Sequence, residues 1–234
     1  TATGRLASSD PNMQNIPIKA SDVGALREAF IPSSGMLFID ADYSQIELRV
    51  LAYVTRDENL LAAFRENQDI HAQTASELFG VAKTAVTPEQ RQVGKKINFS
   101  IIYGLTPYGL AQDLDISVGE AKKYIDSYFA QYPGVKVWME DALAMARESG
   151  YVETLFGIRR FVPGLNDRNR LIAEGEKRIA LNTIIQGTAA DIMKKAMCEL
   201  MHKVESEKLP LKIILQIHDE LLCEAPQEQA KAMS

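Results

Sequence analysis

Little in this sequence points to disulfide bonding, metal capture by soft ligands, secretion or a membrane. Its 234 residues hold two cysteines, Cys198 and Cys223, which make neither a CxxC pair nor a disulfide framework. Each lies in an apolar patterned segment and reads as a small buried hydrophobe, consistent with a reducing, intracellular setting. Three histidines, His71, His202 and His218, stand far apart, with no HExxH and no zinc spacing. No apolar run approaches the roughly 20 residues that span a bilayer. No basic–apolar–small leader opens the chain. The first residue is Thr rather than Met, so a piece of a longer protein is expected. Basic charge is also short: the net charge is −5, which alone disfavours a polyanion partner. Neither repeats nor low-complexity tracts appear.

What is present is an ordinary globular composition, 46% hydrophobic and 24% charged, ample for a sizeable core. The basic residues are clustered: Arg91, Lys95 and Lys96; Arg159 and Arg160; Arg168 and Arg170; Lys177 and Arg178; Lys194 and Lys195. An acidic chain with such stripes can still hold a polyanion. Residues 1–20, rich in Ser, Asn, Thr and Pro, read as extended loop. A short buried strand is expected over 36–39, with a switch to helical spacing after Asp42–Ser44. The pattern then stays mostly helical to about residue 170. Thr87, Pro88 and Gln90 form a capped helix start, and Ser117 with Glu120 has capping-box spacing. Residues 152–163 look like a hairpin around Gly157. Residues 174–207 read as one long helix, in which Gly187 costs about 1 kcal/mol against Ala. Two strand-like runs then meet near His218–Glu220. The expected architecture is α+β, with β-containing ends around a helical insertion.

Two groupings carry chemistry. Arg91, Lys95, Phe99 and Tyr103 recur every four residues on one predicted helix, so they form an inclined stripe, cationic at one end and aromatic at the other. Phosphates against the cations and a base or sugar against the rings would suit a nucleotide. On spacing alone, a helix with an aromatic core edge and solvated bases is the plainer reading. The second grouping is acidic. Asp219 and Glu220 sit side by side between apolar flanks, which is costly without something positive beside them. Asp42 also follows a strand. Converging hard carboxylates suit Mg²⁺, which takes few protein ligands plus phosphate oxygens. Two such ions can activate an attacking hydroxyl and stabilise a leaving pyrophosphate. Pairing with nearby Lys or Arg is the alternative.

The segments DYSQIELR (42–49), RQVGKKINFSIIYG (91–104) and HDE (218–220), in that order, resemble the three motifs of the family A DNA polymerases, the bacterial DNA polymerase I type. TGRLASSDPNMQNIP (3–17) and NTIIQGTAAD (182–191) match further segments, so the resemblance spans essentially the whole chain. It implies an antiparallel palm sheet plus helical fingers, with palm at 1–50 and 173–234 and fingers at 51–172. It implies template-directed transfer from dNTP to a primer 3′-hydroxyl with two Mg²⁺ ions, Mn²⁺ being an alternative. The partners implied are primer–template DNA and dNTP, with no membrane. The implied chain acts as a monomer, in the cytoplasm near the nucleoid or in an organelle of bacterial ancestry, with thumb and exonuclease-like domains upstream in its parent.

Residue by residue, Asp42 and Asp219 match the metal-binding carboxylates, with Tyr43 beside them, and Glu220 a supporting acid. Asp40 shares the face of Asp42 but does not match a ligand. Lys95 and Arg91 match triphosphate ligands, with a further phosphate contact from His71 and a nucleotide contact from Gln45. Glu47 matches the steric gate against a ribose 2′-hydroxyl. Phe99 matches the residue stacked near the incoming sugar and base, and Tyr103 the aromatic at the template-base position. Arg5, Arg178, Asn182 and Gln186 match contacts to the duplex near its end, Asn12, Gln14 and Asn15 backbone or minor-groove contacts, and His218 a residue near the primer terminus. Gln92 stands where many members carry Arg, Ile184 where Pro is frequent, and Gly94 is expected to loosen the nucleotide helix. Two other readings share parts of this layout. A single-subunit RNA polymerase is opposed by Glu47 and Phe99. A catalytically inactive DNA-binding module is opposed by the retained Asp42, Asp219, Arg91 and Lys95.

Overall fold

The computed structural model describes residues 1–16, 28–104 and 106–233. Residues 17–20 of the expected opening loop, including the last residue of the 3–17 segment, lie outside the described residues. The rest of that loop holds a single 3-10 turn, Met13–Asn15, capped by the Asn12 side chain. Among the described residues, no helix is long and apolar enough to cross a membrane.

The chain divides into two compact units. One comprises Thr1–Ile46 with Ala189–Ser234, and the other comprises Glu47–Thr188. The first is built on an antiparallel sheet of β1 (Met36–Asp42), β4 (Lys212–Ile217) and β5 (Glu220–Pro226), in the order β1-β5-β4. Register pairs Ile39 with Cys223 and Ile213 with Cys223, so these three share a face. That face packs against Met193, Met197 and Leu200 of α8 (Arg170–Glu207). Because side chains alternate along a strand, the opposite face carries Asp40, Asp42 and Glu220. This phase resolves the adjacent acids of the sequence. Leu221 and Cys223 turn inward, while Asp219 and Glu220 are only half-buried. The expected buried strand at 36–39 is likewise longer and more open, with Leu37 exposed, and among the described residues β1 has a partner strand on one side only. Helix α9 (Gln227–Met233) follows β5 directly.

The second unit is mainly helical. Helices α1 (Ile46–Thr55), α2 (Glu58–Arg65), α3 (Ile70–Phe79), α4 (Pro88–Ile102), α5 (Pro107–Leu114), α6 (Val118–Gln131) and α7 (Pro133–Ser149) surround a core that includes Leu48, Leu51, Leu60, Ile70, Ile97, Leu110, Tyr128 and Val135. The start of α4 has both halves of the capping box, Thr87 and Gln90 each bonding the other's backbone N–H. Strands β2 (Tyr151–Glu153) and β3 (Arg159–Phe161) form the hairpin around Gly157, whose φ of 84° favours glycine. Val152 and Val162 of this region join a small core with Ala146, Leu165 and Ala180.

One local reading is corrected: Cys198 is exposed, and only Cys223 is buried, its thiol pKa raised by that burial. Gly94 has a packing role in α4. A Cβ there would lie 2.3 Å from the His71 carbonyl oxygen of α3, so glycine permits the close approach of the two helices.

Candidate active site

In the first unit, the acids converge through strand register. Asp42, the last residue of β1, faces Glu220 at the start of β5. Between β4 and β5 the turn is two residues long, His218 and Asp219, and His218 takes the left-handed region with φ 51°. A bulky residue there is uncommon, and such strain gathers at functional sites. The Tyr43 backbone N–H donates to the Asp219 carbonyl at 3.0 Å, which ties the end of β1 to the hairpin tip. Partial burial of its carboxyl, then the charges of Asp219 and Asp40, raise the pKa of Asp42 above the usual carboxylate range. Among the described residues no basic side chain is ion-paired with Asp42 or Asp219.

The same unit groups several expected DNA contacts. Gln14 Nε2 donates to the carbonyl of Gln216 at 3.1 Å, and Gln216 Nε2 donates to the carbonyl of His218 at 2.6 Å. Arg5, Lys194, Gln216 and His218 line one small cleft. Sequence matching missed Gln216 and Lys194. Their signal was position: Gln216 is two residues before His218 on β4. Asn12 is committed to its turn through a bond from the Gln14 N–H, and Asn15 ends that turn.

In the second unit, α4 presents the predicted stripe. An open recess of about 460 Å³ is lined by Gln92, Lys95, Lys96, Phe99, Ser100, Tyr103 and Asp113. The Phe99 and Tyr103 rings are nearly parallel, 19° apart, with centroids at 6.4 Å. Lys95 is exposed and has no ion pair among the described residues, whereas Lys96 Nζ donates to the Asp113 carbonyl at 2.8 Å. Arg91 is not free: its Nε donates to Asp69 Oδ2 at 2.6 Å. Burial alone would raise the Asp69 pKa, but the bound guanidinium and the Ala72 N–H hold it below the usual range. The pair is partly exposed and weak, and the other guanidinium donors remain for a ligand.

Glu47, at the head of α1, is buried and accepts a hydrogen bond from the Tyr103 hydroxyl at 2.9 Å. Gln45 precedes α1 in the left-handed region, φ 55°. His71 is buried to 3% exposure, with Nδ1 3.0 Å from the Asn98 amide nitrogen and its ring 5.9 Å from Phe99. Burial, then Arg91 and Lys95, push its pKa down to about 4. Arg178, Asn182 and Gln186 follow four-residue spacing on α8, and Arg178 packs against Gly104, whose φ is 63°. Asn182 Oδ1 is sealed without a partner.

A larger recess of about 600 Å³ is lined by Tyr53, Trp138, Met145, Tyr151 and Leu155 among others, and it shares no residue with the α4 stripe. Its lining is mainly apolar, with Arg56 and Glu153 as its two charged residues.

The donor set at Asp42 and Asp219 fits a hard divalent cation. Two unneutralised carboxylates with like-charge repulsion suit Mg²⁺, which needs one or two protein carboxylates and completes its shell with water and phosphate. Among the described residues there is no cage of three or more His, Cys, Asp or Glu ligands, as a calcium or zinc site would have.

Residues 1–234 match the family profile described as DNA polymerase family A. The chain is 52% identical over 229 residues to a DNA polymerase I of Caldicellulosiruptor bescii, covering 98% of this chain and 27% of that one. It is 49% identical to the thermostable DNA polymerase I of Thermus aquaticus, covering 100% of this chain and 28% of that one. To DNA polymerase I of Bacillus subtilis it is 48% identical, with 27% of that protein covered. The chain thus spans little more than a quarter of these relatives. The solved POL domain of Pol1 from M. smegmatis, in complex with DNA primer-template and dNTP, superposes with a TM-score of 0.95 at 42% identity, over 100% of this chain and 41% of that one.

Proposed function

The chain belongs to DNA polymerase family A, and from that premise we propose that it is the palm and fingers of a template-directed DNA polymerase. Palm is 1–50 with 173–234, and fingers are 51–172. The observation that carries the reading is the closeness of Asp42 to Asp219, whose charge helps raise the Asp42 pKa: Asp42 pairs in register with Glu220, the residue after Asp219, and among the described residues no basic side chain is ion-paired with either aspartate. A purely structural acid pair would be neutralised within the chain, and a DNA-binding module gains nothing from keeping it open.

Asp42 and Asp219, with the neighbouring Tyr43, would hold two Mg²⁺ ions (or Mn²⁺), with Glu220 in support. The chemistry such ions would supply there is activation of the primer 3′-hydroxyl and neutralisation of charge on the triphosphate. Lys95 holds the triphosphate and stabilises charge as pyrophosphate leaves, and the unused donors of Arg91 bind the same phosphates. Phe99 stacks on the incoming nucleotide, while Tyr103 occupies the template-base position. Gln45 and His71 complete the nucleotide pocket. Arg5, Asn12, Gln14, Asn15, Arg178, Asn182, Gln186 and His218 hold the duplex end, checking pair shape through acceptors common to all base pairs. The protein works as a cytoplasmic monomer, with a thumb and an exonuclease-like domain elsewhere in the parent chain.

Single-nucleotide primer extension in Mg²⁺ tests the reading. Addition that follows the template base supports it. DNA binding indifferent to Mg²⁺ and dNTP, without extension by a chain that includes the thumb, would replace it with the binding module.

Two side chains make sharper predictions. Buried Glu47, fixed by the Tyr103 hydroxyl, presents a rigid wall to a 2′-hydroxyl. Glu47→Ala is expected to lower the dNTP-over-rNTP ratio of kcat/KM by roughly tenfold or more, with less effect on dNTP insertion. An unchanged ratio removes the gate. Lys95→Ala is expected to lower kcat on the order of a hundredfold, because its ammonium meets charge that grows in the transition state. A wild-type kcat with dNTP would contradict that role.

A further inference from the structure

We infer that Asn98 is a positioning residue that holds His71 as an uncharged hydrogen-bond donor through Nε2. Asn98 is fully buried on α4 and reaches across to α3. There Thr74 Oγ1 donates to Asn98 Oδ1 at 3.1 Å, and Asn98 Nδ2 lies 3.0 Å from His71 Nδ1. An amide nitrogen has only protons to offer. Nδ1 must therefore supply its lone pair, and the single proton of the neutral ring sits on Nε2. Thr74 is buried at 0% exposure, so neither end of the bridge has water to fall back on.

The surroundings fit that state. Burial most of all, then Arg91 and Lys95, oppose a proton on the ring, and Asp69 alone of these favours one, so the pKa is pushed down to about 4 and the ring is neutral at pH 7. Nε2 has no hydrogen-bond partner among the described residues and is not one of the sealed, unpartnered atoms, which leaves it as the ring nitrogen open to a ligand. Beside two cations, a third would repel them. A neutral N–H instead offers a directed bond to an anionic oxygen without adding charge, and its strength does not change between pH 5 and 8. On the function proposed above, that oxygen belongs to the triphosphate of the incoming nucleotide.

Long-range ¹H–¹⁵N correlation on ¹⁵N-histidine protein tests the assignment, with His71→Gln identifying the signal. The wild type is expected to show a neutral Nε2–H ring from pH 6 to 8. An Nδ1–H ring, or a protonated one at pH 7, overturns the inference with no variant needed. Asn98→Asp replaces the amide donor by an acceptor. It is expected to move the proton to Nδ1 and to raise the His71 pKa by two units or more, and an unchanged tautomer in the folded variant would also overturn the inference. Thr74→Val is the milder variant, expected to release the amide and mix the two tautomers. The KM for dNTP in Asn98→Asp is expected to change by about tenfold and to become pH-dependent between 5 and 8, with kcat less affected. If the tautomer is as stated but KM does not respond, the positioning role stands and the phosphate contact assigned to His71 falls.

Discussion

Asp219→Ala is expected to reduce template-directed extension by roughly a thousandfold or more while leaving the protein folded. The turn geometry separates the two effects. His218, not Asp219, carries the left-handed conformation, so alanine at 219 meets no backbone penalty. The bond from the Tyr43 N–H goes to the Asp219 carbonyl, which alanine retains. What disappears is one carboxylate, half-buried and without an ion pair among the described residues. A second readout follows from charge. The Asp42 pKa is raised by partial burial and then by Asp219 and Asp40. A carboxylate with a raised folded pKa opposes folding where it is ionised, and this is relieved as pH falls through the folded value. Asp219→Asn removes one of the two like charges, so the Asp42 pKa should drop toward the ordinary range, and the Mg²⁺-induced rise in Tm should shrink. Extension within tenfold of wild type, together with an undiminished Mg²⁺ effect, would take the metals away from this pair.

The parts legible in the sequence were those governed by local rules. Thr87, Pro88 and Gln90 announced the start of α4, and the stripe announced that Lys95, Phe99 and Tyr103 would share a recess, though not that Arg91 would lie outside its lining. The strand–turn–strand around His218–Asp219 was legible by such rules too. What stayed hidden was set by tertiary partners. The helices α5 and α7 were not separated from a generally helical stretch, although Pro107 and Pro133 open them at their first turn. The Asp69 grip on Arg91 comes from another helix, 22 positions away, and no spacing rule reports it. The Gln14–Gln216 bond joins positions 202 apart. The Asn98 bridge was invisible because an asparagine within an apolar helical pattern gives no hint that a threonine and a histidine wait opposite. Glu47 and Tyr103 were assigned separate roles, and only the hydrogen bond between them makes one device of the two.

Gly94 is where a local rule and tertiary packing predict opposite signs. By helix propensity, Gly94→Ala in the middle of α4 should stabilise by about 1 kcal/mol. The packing of α3 against α4 says otherwise. The new Cβ would lie 2.3 Å from the His71 carbonyl oxygen and 3.1 Å from the Ala75 nitrogen. These are backbone atoms, so no side chain can swing aside, and the two helices must separate. Overpacking of this kind costs about 1–3 kcal/mol, which outweighs the propensity gain. A clash with backbone atoms falls at the upper end of that range, so the net loss is about 2 kcal/mol and Tm is expected to fall by roughly 4–8 °C. The damage should also reach the nucleotide recess, since displacing His71 disturbs its bond to Asn98 and its contact with Phe99. Gly119→Ala is the matched control. It lies near the start of α6 with nothing within 4 Å of its missing Cβ, so there propensity is unopposed and stability should hold or rise. A Tm for Gly94→Ala at or above wild type would mean that α3 and α4 are not in close contact at this point. The opposite response of the two glycines would show that contact, rather than helix-forming tendency, selects glycine at position 94.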